Sequence, residues 1–380
     1  MAKLQKALLE FFITEKEVFT FIVRPKVPEL NIDDSTPIVL KHPIASAEIE
    51  AVVNELKQHY QQINEYSEGS SSLQALANFI DQELDLSAFY ELGEKLFTKD
   101  LMEALSDFDA IYIVPFGSLH YLPLHAMKYQ GKYLIDWFKI AYLPSASVLQ
   151  YIQQDRPPKF TKRVLLCGVD STGDMRHFGW ETDQIAQLEV WKDYQISYLK
   201  NEESTKTKFL EHCADCAVIH ISSHGHFAQH DPLDSGAVLY GNYSLRYRKG
   251  EGFEKEDYDF LLTVKDIFEK IKLHTDLFVM SGCVTGDSEY KSGDELIGLT
   301  RAIMYAGAKS MIVTLFPTIK NVTSLPSQPA LQFARFYDFW MGQKEYKVTA
   351  MQKFIQSIKS QSPFHAPHFW MPYLLVGNME

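Results

Sequence analysis

The chain is poor in cysteine, has no long apolar run and is short of positive charge. Four cysteines, Cys167, Cys213, Cys216 and Cys283, stand among 380 residues. That is too few for a disulfide framework, so a reducing cytoplasm is the expected setting. No uninterrupted apolar stretch reaches the roughly 18 residues that a membrane-spanning helix needs. The opening MAKLQKALLEFFITEKEVF is broken by Glu10 and again by Glu15, Lys16 and Glu17. It lacks the form of a secretory signal, and no stable membrane insertion is expected. Lys and Arg number 37 against 49 Asp and Glu, a net charge of −12. This balance argues against nucleic acid as the main partner. Repeats, heptads and low-complexity tracts are missing. Cys213-x-x-Cys216 has no second pair, and His120, His125, His365 and His368 show no ligand spacing with cysteine, so no metal is expected. PFGSLH lacks the glycine density of a phosphate loop, DPLD lacks a calcium-loop pattern, and no cofactor is expected.

What is present is an alternation of apolar runs and helical periods. Residues 8–25 read as a hairpin around TEKE, and 46–66 as an amphipathic helix. Helical segments near 73–83 and 87–105 follow, then a strand in AIYIV, two short strands and a helix start. The charged, proline-containing DRPPK at 155–159 marks a boundary between a first lobe, 1–157, and a second, 158–380. Beyond it, strands are predicted at 163–170, 196–200, 217–224, 277–283, 310–316 and 372–378. Helices are predicted at 180–192, 204–213, 263–271, 294–306, 327–341 and 345–360. The strand segments are runs of Val, Ile and Leu without alternation, the pattern of a parallel sheet covered by helices. The predicted class is α/β. Residues 229–262 are polar and lack a strong period, and read as a long loop or hairpin beside the 217–224 strand.

Two of these runs end in chemistry. AVIHISSH ends in His224-Gly225 and LFVMSGC ends in Cys283. In neighbouring parallel strands both groups emerge at one edge, where α/β sites form. A thiol acts as a nucleophile through its thiolate, which an adjacent imidazole promotes. The backbone amides of Gly225 and Cys283 are candidates for an oxyanion hole. Each part also has an ordinary explanation. A strand-end cysteine is usually just buried, and Cys167 in LLCGVD stands in such a setting with no chemistry assigned. His226 is a rival base.

The blocks around these residues extend further. HISSHGHF…DPLDSGAVL, LLTVKDI, LFVMSGCVTG…SGDELIGLTRAIMYAGAKSMIVTLFP and HFWMPYLLVGN occur in order. They are preceded by YIVPFGSLHYLPLHAM…YLIDWFKIAYLPSASVL. Together they resemble the CHAT peptidases, caspase-like cysteine proteases related to separases. The resemblance implies a caspase-like, mostly parallel sheet flanked by helices in the second lobe, with the first as a smaller non-catalytic α/β companion. It places the catalytic histidine at His224 and the catalytic cysteine at Cys283, with the amides of Gly225 and Cys283 as oxyanion donors. The family commonly has alanine and glutamate on either side of the cysteine, where this chain has Gly282 and Val284. It commonly has tryptophan where this chain has Phe316.

The resemblance also implies a substrate pocket near Asp170 and Ser281. An acidic Asp170 suits a basic substrate residue, while a plain capping role for Asp170 is the alternative. Asp294 and Glu295 are further acidic options. The expected partner is a protein substrate. In bacteria the family suggests defence or programmed cell death, by cleavage of a partner such as a gasdermin. With no repeat array, a sensor is expected on a separate activator chain or as a small-molecule or peptide trigger. Two other readings stay open: a catalytically silent scaffold that holds a peptide in the same groove, and a different thiol chemistry.

Overall fold

The apolar runs KALLEFFI and VFTFIV form β1 (Lys6–Ile13) and β2 (Val18–Val23), an antiparallel hairpin with Leu9 opposite Ile22. Its turn closes through Thr14, whose amide donates to the Glu17 carbonyl at 2.8 Å and whose hydroxyl accepts from the Glu17 amide at 3.1 Å. The computed structural model describes residues 4–24, 36–69, 72–152, 161–170, 177–226, 232–241, 260–282, 294–316 and 328–380. By internal packing they fall into two units. One comprises Met1–Gly69, Leu73–Gln153 and Glu345–Glu380, the other Ser70–Ser72 and Gln154–Lys344. The segment 345–380 therefore groups with the first unit, although in sequence it lies far beyond the boundary at 155–159.

In the first unit β3 (Ile38–His42) adds to β2 antiparallel. Its short IVLKH pattern does not announce a strand in the sequence, and its exposure alternates along the strand. Then come α1 (Ser46–Gly69), α2 (Leu73–Glu83), α3 (Ser87–Leu96), α4 (Lys99–Ala104) and β4 (Ala110–Val114). The α1 stripe Ile49, Val52, Val53, Leu56 and Tyr60 is buried as its helical period requires. A two-stranded ribbon of β5 (Lys128–Tyr129) and β6 (Lys132–Tyr133) leads to α5 (Leu134–Trp137), β7 (Lys139–Tyr142) and α6 (Val148–Ile152).

The second unit alternates strand and helix. It contains β8 (Arg163–Gly168), α7 (His177–Ala186), β9 (Gln195–Lys200), α8 (Lys206–His212) and β10 (Val218–Ser222). Three short strands follow, β11 (Gly225–His226), β12 (Gly236–Val238) and β13 (Leu261–Thr263). They pair antiparallel in that order, so the described part of 229–262 is strand-bearing. The unit continues through α9 (Val264–Lys270), β14 (Thr275–Met280), α10 (Asp294–Ala306), β15 (Ala308–Thr314) and α11 (Gln328–Tyr337). The chain then re-enters the first unit with α12 (Lys347–Lys359) and β16 (Tyr373–Gly377).

Strands of the first unit lie in the order β3-β2-β1-β4-β7-β16. From β1 to β16 the pairings are parallel. Those of the second unit lie in the order β15-β14-β10-β8-β9, all parallel. The residues of β4, β10 and β16 are buried throughout, as expected for strands covered on both faces. Two helix pairs, α7 with α11 and α9 with α10, pack beside these strands. This is the α/β, mostly parallel architecture expected from the sequence.

Candidate active site

A parallel pair aligns its carboxyl ends, and here the pair is β10 and β14. Ile221 stands opposite Met280, and the Ser281 amide extends the ladder to the Ile221 carbonyl at 2.8 Å. Both strands then leave the sheet, β10 after Ser222 as Ser223-His224-Gly225 and β14 after Met280 as Ser281-Gly282. Cys283 and Val284 lie outside the described residues, and so do the side chains of Asp294 and Glu295.

The residue before Cys283 is held close to the histidine loop. A Cβ placed on Gly282 would stand 2.4 Å from the Ser223 carbonyl oxygen and 3.6 Å from the Gly225 amide nitrogen. The first distance is below any real contact, and its partner is backbone, so the position takes glycine for want of room. The Thr314 hydroxyl, from the end of β15, donates to the Gly282 carbonyl at 2.5 Å. Two neighbouring strands thus fix the backbone that leads into the thiol.

His224 is buried, with only 6% of its surface exposed. Its carbonyl accepts the Val238 amide at 2.8 Å and the Ser223 hydroxyl at 3.2 Å, which ties the loop to β12. The Phe178 ring, in the first turn of α7, meets the imidazole edge to face with centroids 4.9 Å apart. Gly225 begins β11, opposite Ala237. His226, the rival base, lies opposite Gly236; burial pulls its pKa down, and Asp234 partly offsets this. Ser222, Ser223 and Ser281 are buried around the strand ends.

Asp170 follows β8 at the same edge. Its Oδ1 accepts the amides of Phe178 at 3.1 Å and Gly179 at 3.0 Å, at the start of α7. Its own amide donates to Asn201 Oδ1 at 3.0 Å. The geometry gives Asp170 the capping role that its residue type also allows, since a carboxylate at a helix start receives unsatisfied amides.

The remaining thiols are of another kind. Burial pushes Cys167 up to about 12, and Cys213 and Cys216 up to about 11. Such thiols hold little thiolate near neutrality. The Cys216 sulfur lies 3.2 Å from the His212 carbonyl and the Cys213 sulfur 3.7 Å from that of Leu210. Among the described residues no group of three or more His, Cys, Asp or Glu is arranged to hold a metal ion.

Sequence reasoning did not reach Phe178, Thr314 or the buried trio Glu181, His220 and Tyr337. His220 lies within β10, fully buried, with Nε2 3.0 Å from Glu181 Oε1 and Nδ1 3.0 Å from the Tyr337 hydroxyl. A signal was there, because a titratable residue inside the apolar run AVIHIS must find buried polar partners. Nothing local says which residues those are.

No curated protein matches the chain. The family model of the CHAT domain matches residues 87–378, more than half of the chain. The parallel strands, the histidine loop beside Gly282 and this match agree: the chain belongs to the CHAT domain family, which is caspase-like and related to cysteine peptidases.

Proposed function

We propose that the protein is a cysteine endopeptidase acting through a dyad of His224 and Cys283 on a specific protein substrate. The observation that carries this is the close approach of Gly282 to Ser223 and Gly225. It sets the residue before the thiol against the residues on both sides of the histidine. In the reaction His224 takes the Cys283 proton, and the thiolate attacks a peptide carbonyl carbon. The amides of Gly225 and Cys283 receive the oxyanion. The C–N bond then breaks as His224 protonates the departing amine. Water, deprotonated by His224, attacks the thioester, releasing the new carboxyl terminus and the free thiol.

Family kinship carries the finer part of the reading. The substrate is a partner protein activated by cleavage, such as a gasdermin, in bacterial defence or programmed cell death. A separate chain or small trigger supplies the sensing. No helix among the described residues is long and apolar enough to cross a membrane. The three described cysteines are unpaired with one another, which supports a reducing, cytoplasmic setting. Asp170 and Ser281 line the same sheet edge and enter the proposal as the floor of the pocket before the scissile bond. Asp170 serves there while capping α7.

The test is incubation with candidate partner proteins beside a Cys283→Ala control, with sequencing of new N-termini. Cleavage that is lost in the control supports the reading. A bound partner that is never cut, by either form, favours the scaffold reading of the same groove.

A further inference from the structure

The imidazole of a dyad must be held at a fixed angle to its thiol, and His224 sits on a loop just past the end of its strand. The described ring contact on His224 comes from α7, through Phe178. The helix is anchored at several points. Asp170 receives the first-turn amides of Phe178 and Gly179. Three residues beyond Phe178, on the same helical face, Glu181 reaches His220 Nε2, and His220 Nδ1 meets the Tyr337 hydroxyl of α11. Glu181 is buried, with 1% of its surface exposed, and Tyr337 is fully buried. The Phe333 ring closes over His220 edge to face at 5.3 Å. On the far side of α7, Tyr198 donates to Asp183 Oδ1 at 2.6 Å, and Lys200 pairs with Asp183 at 2.6 Å.

His220 and His224 thus belong to one segment, four residues apart, and both are met from α7. The strand interior spends its histidine on fixing the helix, and the helix presents Phe178 to the histidine beyond the strand end. A buried, fully hydrogen-bonded chain of this kind costs desolvation and returns rigidity and a single geometry. An aromatic edge against an imidazole limits the ring's rotation without taking its protons.

We infer that α7 is the positioning element of the dyad. Phe178 is a positioning residue for the His224 ring, held in place by the buried Glu181–His220–Tyr337 chain. The inference rests on the His224–Cys283 reading above. It makes Phe178 a determinant of how well His224 serves Cys283, acting through its ring contact with His224.

The experiment needs no known substrate. The full chain is alkylated with iodoacetamide from about pH 5 to 9, and modification of Cys283 is followed by peptide mass spectrometry; the other three thiols are buried. His224→Ala is expected to move the pH midpoint of Cys283 alkylation toward that of an ordinary thiol and to slow the reaction near pH 6 on the order of 10- to 100-fold. Phe178→Ala moves the profile in the same direction, with a roughly tenfold slowing. Phe178→Leu, which keeps most of the core volume, falls between Phe178→Ala and the parent, and it carries the test if the alanine variant does not fold. Parent-like profiles for the Phe178 variants beside a shifted His224→Ala profile overturn the positioning role and leave the dyad standing. A His224→Ala profile that matches the parent overturns the dyad, and the positioning role with it.

Discussion

The two units are made of similar parts and part company at the carboxyl ends of their parallel strands. In the first, β7 ends at Tyr142, whose hydroxyl lies 3.0 Å from His125 Nδ1 and accepts the His125 amide at 3.0 Å. His125 is fully buried, and burial, with Lys359 adding to it, holds its pKa at about 3. That imidazole stays neutral at any ordinary pH and shuttles no protons. In the second unit, β10 and β14 are each followed by small residues, Ser223 and Ser281-Gly282, and the histidine stands on the loop beside the neighbouring strand's exit. The same side chain is mortar in one unit, packed from the turn Leu124–Ala126 against a strand's last residue, and a candidate for chemistry in the other, just past a strand's end. Residue type does not decide between them. What differs is the surroundings: His125 is packed against Tyr142, whereas the His224 loop lies against Gly282, the residue before Cys283.

The comparison breaks most directly on function. His224→Ala should lower substrate cleavage by about 10²-fold or more, measured as kcat/KM on the cleaved partner, while the fold is kept by circular dichroism. If the deeply buried His125 proved equally necessary for turnover in a variant that still folds, the division of labour would collapse.

Next in size is Gly282→Ala. Its methyl group meets the Ser223 carbonyl, which is backbone and cannot swing aside. The strand ends must separate, with a stability cost of roughly 1–3 kcal/mol and about a tenfold loss in kcat. Urea titration and steady-state kinetics read the two effects. Full activity and stability would mean that the approach of the two loops is looser than described.

A third effect concerns acid and bears on stability alone. His125 in the folded chain is held far below its ordinary value of 6.5, and His368 likewise at about 3. Both belong to the first unit. The unfolded chain takes up protons that the folded one refuses. The stability they allow is therefore complete above about pH 6.5 and is lost as pH falls toward about 3. Urea midpoints measured at pH 7 and pH 5 should show the decline. His125→Phe should be less stable at pH 7 yet lose less on acidification. An equal decline in that variant would remove His125 from the cause.

Much of this arrangement is legible in the chain itself. Unalternating Val, Ile and Leu runs announce buried parallel strands, and each predicted strand of the second unit has its counterpart within a few residues. Bringing the histidine and the cysteine to one edge requires the AVIHIS and LFVMSG strands to be neighbours, which their apolar runs alone do not say, and they are. Less legible is membership. The pattern of residues 372–378 says strand but names no neighbour. Its first-unit pairing, Val376 opposite Tyr142, spans more than two hundred residues, as do the bonds from Gln352 to the carbonyls of Ile135 and Phe138. Strand β3 escapes because five residues at a sheet's margin carry too little pattern. Glu181, His220 and Tyr337 escape because a hydrogen-bonded chain across three elements is written in none of them. Asp170 shows the opposite case, a residue whose type allows a helix cap and whose geometry supplies it.

One methyl group sets a unit of length for this site. Where the family resemblance implies alanine before Cys283, this chain has glycine, and its Ser223 carbonyl fills the space that the methyl would need. A chain with alanine there must set its histidine loop further out. Position 282 and the backbone of 223 are therefore expected to drift together over evolutionary time, so that the gap between the two loops becomes a heritable dimension of the groove, adjusted by a single codon.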